Sequence, residues 1–396
     1  MTARLTLLPG REKSLLRRHP WIFSGAVKDL SGSPEAGDTV EVADSSGHVL
    51  ALAAWSPRSQ IAGRVWTFDP GAAVDAAFFR ERVGRAAALR EELGLLSPDG
   101  GCRLIYSESD GLPGVIADLY CGIVVLQLLS AGAEAHRAEI VGALMALPCV
   151  RGICERSDVS IRRREGLPPA SGQLAGDAEE TIKITENGLV FEVDLLHGQK
   201  TGFYFDLRDA RRRLRDFAPG RKVLNMFSYT GAFAVNALAS GAEHVINCDS
   251  SRPALLQAEK NVALNNLDGS RVENICGDGF DLLRKLRQEK RKFDLIVLDP
   301  PKLVDSRNAL DRGCRAYQFL AESGFELLAA GGVMFSFSCS GLMVPELFHK
   351  ITASAAAAVK CDAKILSLLL QAPDHPVDLA TPETLYLKGF ISRKNK

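Results

Sequence analysis

The 396-residue chain lacks the features that mark secreted and membrane proteins. No apolar run reaches the roughly 18 residues needed to cross a bilayer. The first ten residues contain no apolar segment long enough for a signal peptide. The nine cysteines include no CxxC pair, which disfavours a disulfide framework and a zinc site. The expected location is therefore a reducing cytoplasm, with no metal and no membrane partner.

The sequence also lacks net charge, since it has 48 basic and 48 acidic residues. Proteins that bind nucleic acids usually carry a basic surface, so this balance argues weakly against such a partner. Local basic patches can nevertheless bind phosphate in a neutral chain. One patch lies in residues 1–30, which contain only two acidic residues but six basic ones: Arg4, Arg11, Lys13, Arg17, Arg18 and Lys28. A second cluster, equally compatible with a solvated helix face, contains Arg208, Arg211, Arg212, Arg213 and Arg215.

The length and the changing pattern of the chain predict three domains. Residues 1–75 alternate like short strands and turns, which indicates a small β-rich domain. Residues 76–196 mix helices and strands in a central α/β domain, and Pro, Gly and Ser within 166–180 indicate an exposed loop. Residues 197–396 form the third domain, where strands and helices alternate as they do in a parallel sheet.

Seven strands are expected in this C-terminal sheet, the last two as an antiparallel hairpin. They are predicted at 222–226, 244–249, 271–276, 293–298, 332–338, 364–370 and 385–391. The intervening helices are predicted at 231–240, 252–265, 279–290, 310–329 and 343–357.

Two of these strands end in reactive side chains. Asp299 follows the strand at 293–298, and Cys339, between two serines, follows the strand at 332–338. Ligands of open α/β sheets bind beyond the carboxyl ends of the strands, so both tips should face one crevice. The sequence therefore predicts an active site that combines an acid and a thiol.

Three earlier strand tips carry residues suited to an adenosine ligand. Gly231 follows the first strand and allows a close approach of backbone to ligand. It is a single glycine rather than a G-x-G-x-x-G sequence, which disfavours a dinucleotide. Asp249 suits ribose hydroxyls and Asp278 an adenine amino group. Either acid alone could be a helix cap, but the ordered series ending at Asp299 favours an adenosine–amino-acid ligand.

Four motifs in this order resemble the RlmI-type family of large-subunit ribosomal RNA cytosine-5 methyltransferases. They are Lys200–Arg208, Asn225–Gly231, Asp299–Lys302 and Phe337–Met343, and the closing residues Leu385–Phe390 are similar too. The resemblance implies a class I, S-adenosylmethionine-dependent methyltransferase with a Rossmann-like, seven-stranded C-terminal domain. It also implies an N-terminal PUA domain, a central α/β domain, an RNA partner (23S rRNA) and a homodimer.

The same resemblance implies the residues that hold the cofactor. Phe203, Asp206 and Arg208 would lie near its methionine end, where a guanidinium suits the methionine carboxylate. Alternatively, Arg208 only begins a basic helix. The complete candidate set is Phe203, Asp206, Arg208, Asn225, Phe227, Ser228, Tyr229, Thr230, Gly231, Asp249, Ser250, Asp278, Gly279, Asp299 and Pro300.

The chemistry of cytosine C5 explains why an acid and a thiol are needed. C5 becomes nucleophilic after a thiolate adds at C6, which is covalent catalysis. Cys339 is the predicted nucleophile, with a depressed thiol pKa, and Asp299 is the acid at N3. Many RNA cytosine-5 methyltransferases carry a second cysteine where this chain has Pro301, so the proton acceptor at C5 is unassigned. Cys314 is a weak candidate.

Two other functions remain open at the level of the sequence. Exocyclic-amine methyltransferases, which act on guanine N2 or adenine N6, resemble Asp/Asn-Pro-Pro followed by an aromatic residue that stacks the flipped base. Lys302 in that position favours methylation of carbon. The chain could also be a non-catalytic RNA-binding factor in ribosome assembly.

The candidate RNA-binding residues are basic or aromatic. The segment 17–25 resembles the entry to a PUA domain, and basic side chains beside an aromatic ring can grip RNA backbone and stack a base. Trp21 and Phe23 could instead be core residues of a small barrel. The set is Arg17, Arg18, Trp21 and Lys302. Large-subunit rRNA as the substrate is implied by the resemblance alone.

Overall fold

A computed structural model describes residues 3–198 and 201–395. The chain divides into two compact units. The first contains the described parts of 1–184, 193–205 and 373–384, and the second those of 185–192, 206–372 and 385–396. No helix in the described part of the chain is long and apolar enough to cross a membrane.

The first unit begins with a six-stranded sheet in the order β2-β6-β5-β4-β1-β3. Alternation of apolar and polar residues builds it: in β4, Val40 and Val42 are buried while Glu41 between them is partly exposed. A short helix, α1, spans Lys13–Leu16. The strands are β1 Arg4–Leu7, β2 Trp21–Phe23, β3 Val27–Ser31, β4 Thr39–Ala43, β5 Val49–Trp55 and β6 Ile61–Thr67.

The rest of the first unit is a five-stranded sheet, β11-β10-β9-β8-β7, with helices. The loop predicted at 166–180 is wrong in part, because β11 lies within it and pairs antiparallel with β10. β11 is an edge strand held by backbone pairing, so it carries no apolar pattern. The elements are α2 Ala76–Glu92, β7 Gly101–Tyr106, β8 Val115–Tyr120, β9 Ile123–Leu128, α3 Ala131–Ala135, α4 Arg137–Met145, β10 Gly152–Arg156, α5 Ile161–Glu165 and β11 Ser171–Gly176.

A hairpin of β12 (Thr181–Glu186) and β13 (Leu189–Asp194) follows. Asn187 and Gly188 have φ of 54° and 76°, as an Asn-Gly hairpin turn requires. Its tip, 185–192, belongs to the second unit. There the backbone N–H of Val190 donates to Asn265 Oδ1 at 2.8 Å.

The second unit is built on a seven-stranded sheet in the order β16-β15-β14-β17-β18-β20-β19. All pairs are parallel except those of β20, which runs antiparallel to both β18 and β19. The strands are β14 Lys222–Met226, β15 His244–Asp249, β16 Val272–Cys276, β17 Phe293–Leu298, β18 Leu328–Ser338, β19 Ala363–Leu370 and β20 Lys388–Lys394.

Helices flank this sheet, α10 packing on α9 and α11, and α7 packing on α6 and α8. The central strands β17 and β18 are largely buried apolar runs, because helices cover a parallel sheet. The seven-stranded fold predicted from the sequence is confirmed, whereas the three domain boundaries stay a prediction. The helices are α6 Arg208–Leu214, α7 Ala232–Ala239, α8 Arg252–Leu264, α9 Gly279–Gln288, α10 Leu310–Leu327 and α11 Pro345–Ala358.

Candidate active site

The order of the strands defines a crevice at the carboxyl edge of the seven-stranded sheet. The chain order reverses at β14, which pairs with β15 on one side and β17 on the other. A reversal of this kind opens a cleft where the flanking loops diverge, and ligands bind there. The residues that follow β14, β15, β16, β17 and β18 therefore border one site.

The turn after β14 has an unusual backbone. Phe227, Tyr229 and Gly231 have φ of 58°, 47° and 75°, so three of five residues are left-handed. A Cβ on Gly231 would lie 2.7 Å from the Cβ of Ala258, so only glycine fits there without a shift. The N–H of Ser228 donates to the carbonyl of Cys248 at 3.0 Å, which ties the turn to β15.

Asp249 holds this turn with both carboxylate oxygens. Its Oδ2 accepts from the N–H of Tyr229 and its Oδ1 from the N–H of Ser251, each at 2.8 Å. Charged hydrogen bonds to backbone N–H groups are among the stronger ones in proteins. Asp249 therefore sets the shape of the crevice at the tip of β15.

Asp278 is the N-cap of α9. Its Oδ1 accepts from the N–H of Phe280 at 2.9 Å and from that of Asp281 at 3.1 Å. Asp278 therefore caps α9, as the sequence argument allowed, and its contact with a cofactor stays a prediction. The side chain is exposed and caps through one oxygen.

A ladder of asparagine side chains runs beneath the turn. Asn225 donates to Asn247 at 2.9 Å, and Asn247 donates to Asn274 at 3.0 Å, across three strands in register. Since the amide nitrogen of Asn225 is committed to this ladder and the residue is buried, it supports the turn from below. Thr230 is fixed in a similar way, because its carbonyl accepts from Asn261 at 3.0 Å.

The cleft retains polar capacity for a ligand with hydroxyl groups. The Ser228 hydroxyl is buried and has no hydrogen-bond partner among the described residues. The ring of Phe227 lies over Gly279, where an added Cβ would meet a ring carbon at 2.5 Å. Ser250 and Asp278 are exposed at the neighbouring tips. An orphaned hydroxyl, an apolar ring and a carboxylate fit the ribose and base of an adenosine.

The tips of β17 and β18 meet at the other half of the crevice. The two strands are adjacent and parallel, with Leu298 opposite Ser336. The Cys339 thiol lies 3.9 Å from the carbonyl oxygen of Pro300, directly after Asp299. The structure therefore brings together the two motifs that the sequence placed in one crevice. Cys339 and Asp299 are both partly exposed.

Tyr317 of α10 fixes the residues on both sides of Cys339. Its hydroxyl accepts from Ser338 Oγ at 2.9 Å and shares a 3.1 Å hydrogen bond with Ser340 Oγ. Ser340 Oγ also accepts from the N–H of Val304 at 3.1 Å. Burial raises the pKa of Tyr317, which keeps the phenol neutral. Sequence reasoning missed this residue, because a tyrosine in an amphipathic helix resembles any core residue.

Lys388, at the start of β20, lies on the opposite side of the same tip. It pairs with Ser338 in the sheet, is buried, and donates from Nζ to the carbonyl of Ser340 at 2.7 Å. Burial lowers the pKa of Lys388 to about 8, and the charge of Cys339 opposes that shift. The closing motif contained this lysine, but the sequence offered no role for it.

The candidates near the methionine end fall in different units. Phe203 lies in the first unit, buried, and its N–H donates to the Tyr120 hydroxyl at 3.1 Å. Asp206, buried in the second unit, accepts from the Tyr386 hydroxyl. Arg208 begins α6 with its guanidinium 3.5 Å from Glu186. Their cofactor roles stay predictions, and Lys200 of the same motif lies outside the described residues.

The RNA-binding candidates are partly or fully exposed. Arg17 and Lys302 are exposed, and the guanidinium of Arg18 lies 5.1 Å from the ring centre of Phe68. The ring N–H of Trp21 donates to Glu108 at 2.9 Å. Phe23 is 50% exposed, so it is not a core residue. RNA contact by these residues stays a prediction.

Comparison with known proteins agrees with this geometry. A family model described as S-adenosylmethionine-dependent methyltransferase matches residues 117–381, and one for a PUA-like domain matches residues 5–68. Ribosomal RNA large subunit methyltransferase I of Yersinia pseudotuberculosis is 49% identical over 394 residues, which cover 99% of this chain and 100% of that protein. The chain belongs to this family. It is an S-adenosylmethionine-dependent methyltransferase with an N-terminal PUA-like domain, which confirms the predicted family, fold class and cofactor.

Solved structures show the same fold along the chain. A Streptococcus mutans protein assigned as an S-adenosylmethionine-dependent methyltransferase superimposes with a TM-score of 0.86 at 25% identity. A methyltransferase complexed with SAH superimposes with a TM-score of 0.87 at 24% identity. Each comparison covers 99% of this chain and 100% of the other.

Proposed function

We propose that this methyltransferase modifies C5 of a cytosine in large-subunit rRNA through a Cys339 thiolate adduct at C6. The name and 49% identity of the Yersinia relative support large-subunit rRNA as the substrate. One observation carries the choice of atom: the Cys339 thiol lies 3.9 Å from the Pro300 carbonyl, next to Asp299. Methylation of an amine nitrogen needs no nucleophilic thiol, whereas methylation of a pyrimidine carbon does.

The adduct makes C5 electron-rich. The Cys339 thiolate forms an S–C6 bond; the C5=C6 pair becomes a C4=C5 bond, and the C4=N3 pair moves onto N3, which takes a proton from the acid Asp299. When C5 takes the methyl group, the demethylated donor leaves as a thioether, N3 returns its proton to Asp299 and the C4=N3 bond reforms. C5 then loses its proton to a base. The electron pair of the broken C5–H bond then rebuilds C5=C6 and expels the thiolate.

The cofactor site is supported by the turn after β14. Bound S-adenosylmethionine supplies a methyl group on a sulfonium, which is the electrophile. Asp249 and Gly231 shape the turn, Ser228 offers a buried hydroxyl, and Phe227 and Asp278 flank the position suited to the base. Asp206 and Arg208 are the proposed ligands of the methionine end.

The base that removes the C5 proton is not Cys314 in this proposal. Burial raises the pKa of that thiol, and a thiol that holds its proton is a poor acceptor.

RNA recognition is assigned to the PUA-like domain and to the exposed lysine after the aspartate motif. Arg17 and Arg18 suit phosphates, Trp21 suits a base, and Lys302 occupies the place where amine methyltransferases have a stacking ring. A cytoplasmic location and a homodimer remain predictions that accompany this assignment.

Analysis of the methylated nucleoside tests the proposal. Unmodified large-subunit rRNA is incubated with enzyme and labelled methyl donor, digested and analysed by mass spectrometry. We expect 5-methylcytidine, and a loss of at least about 10³-fold in Cys339→Ala, the scale of removing a nucleophile. Cys361→Ala, which removes a partly exposed thiol between α11 and β19, is the matched control.

The other outcomes separate the competing functions. N2-methylguanosine or N6-methyladenosine formed at full rate by Cys339→Ala would overturn the adduct. Tight cofactor binding without methylation of any RNA would indicate a non-catalytic RNA-binding factor.

A further inference from the structure

A buried ammonium group lies beside the proposed nucleophile. Lys388 is 3% exposed, and its Nζ donates to the carbonyl of Ser340, the residue after Cys339, at 2.7 Å. β20 holds it there, because Lys388 is paired with Ser338 in an antiparallel register that continues to Arg393 opposite Val333. The position of the ammonium relative to the end of β18 is thus fixed by the sheet.

The ammonium has no carboxylate partner among residues 3–198 and 201–395. Its one hydrogen bond in that part of the chain goes to a neutral carbonyl, and its one electrostatic partner is Cys339. Buried charges in proteins are almost always paired, because an unpaired charge away from water is costly. A thiolate at Cys339 would supply the missing counter-charge.

Three other titratable groups lie around this end of β20. Tyr317 packs against Ser338 and Ser340 from α10, and its phenol is neutral. His349 of α11 faces the ring of Phe390, two residues along β20. Asp299 follows β17, which pairs with the other edge of β18.

We propose that Lys388 is the buried counter-ion of the Cys339 thiolate and holds the nucleophile ionised before RNA binds. The thiol proton leaves to solvent, and the ammonium keeps its own proton throughout. This makes Lys388 a positioning residue that acts through Cys339, and the inference rests on the proposed role of that cysteine. The Ser340 carbonyl holds the ammonium at the end of β18.

The ionisation of Cys339 can be measured without RNA. The rate of iodoacetamide alkylation is followed from pH 5 to 10, with Cys339 identified by peptide mass spectrometry, in the native protein and in urea. We expect a native midpoint about 1–3 units below the ordinary thiol value near 8.5, which the protein in urea should show. If the alkylation midpoint of the native protein lies at or above the midpoint in urea, the proposal is overturned, regardless of the results for the variants.

Two variants test the role of the charge. Lys388→Met keeps the apolar stem and removes the ammonium, so the midpoint of Cys339 alkylation should rise. For each pH unit of that rise, alkylation at pH 7 should slow about tenfold. Lys388→Arg should retain a low midpoint. The control is Lys394→Met on the same strand, whose Nζ donates to the carbonyls of Phe325 and Leu328, and which should change nothing at Cys339.

Activity gives a second readout that loss of structure would not produce. In Lys388→Met the rise of kcat with pH should move upward with the thiol midpoint, while KM for RNA stays unchanged. An unchanged midpoint in folded Lys388→Met would overturn the ion pair. A low midpoint that is lost in Lys388→Met supports the ion pair even if RNA containing 5-fluorocytosine forms no adduct with the enzyme. Failure of the ion pair can therefore be told apart from failure of the proposed adduct.

Discussion

The ends of β14, β15 and β16 form one half of the crevice, and the ends of β17 and β18 with the start of β20 form the other. The two halves use polar side chains differently. In the first half, Asp249 and Asp278 bind backbone N–H groups and shape loops. In the second half, Tyr317 and Lys388 bind the two residues that flank a single thiol. The first half is built to fit a ligand, and the second to control one reactive atom.

The difference predicts that mutations in the two halves separate binding from chemistry. Changes around β14 should act on cofactor affinity, whereas changes around Cys339 should act on the rate of methyl transfer. Three substitutions test this separation in order of expected effect.

Asp299→Asn should have the largest of these effects. The amide keeps the shape of the acid but cannot protonate N3, so kcat should fall about 10²–10⁴-fold, the usual contribution of general acid catalysis. Cofactor affinity, measured by calorimetry, should change little. Asp305→Asn, an exposed acid six residues along the same loop, is the control. A large loss of cofactor affinity with normal kcat would place Asp299 in the first half of the crevice instead.

Gly231→Ala should act mainly on cofactor binding. The left-handed backbone costs an alanine about 1–2 kcal/mol, and the added Cβ also meets Ala258 at 2.7 Å. We expect a Kd for S-adenosylmethionine raised about tenfold or more. Gly220→Ala is the matched control, with φ of 68° and nothing within 4 Å of its Cβ. If both variants bind the cofactor equally well, the turn is not the binding element.

Tyr317→Phe should have the smallest effect. It removes the hydroxyl shared by Ser338 and Ser340, so unfolding should become easier by about 1–3 kcal/mol and kcat should fall several-fold. Denaturant unfolding and single-turnover methylation measure the two. The control, Tyr106→Phe, loses a 2.8 Å bond to the Thr384 carbonyl in the other unit and should leave kcat unchanged. A normal kcat in Tyr317→Phe would show that Cys339 needs no such support.

The first half of the crevice could be predicted from the sequence because its residues follow strand ends directly. Gly231 and Asp249 are placed by the strands before them, and the strand at 293–298 was predicted at its observed bounds. The capping role of Asp278 was weighed and set aside, since a sequence cannot show which oxygen stays available. The Asn225–Asn247–Asn274 ladder was missed, because strand register is invisible before the strands are paired.

The second half was harder to predict because its parts are distant in the chain. Tyr317 comes from a helix 22 positions before Cys339, and Lys388 from a strand 49 positions after it. β20 begins at Lys388 rather than at 385, and only the antiparallel pairing with β18 places that lysine beside the thiol. A cysteine or an aspartate at a strand end can be recognised in a sequence as a candidate reactive residue, whereas a lysine stands out only once its burial is known.

Trapping the covalent adduct tests the proposed reaction most directly. In large-subunit rRNA that contains 5-fluorocytosine, C5 carries fluorine in place of the proton that is normally removed. Fluorine cannot leave in this way, so the S–C6 bond should persist. The account predicts a protein–RNA complex that survives denaturing electrophoresis, maps to Cys339 and disappears in Cys339→Ala. No complex from enzyme that methylates ordinary rRNA, or a complex that persists in Cys339→Ala, would contradict it.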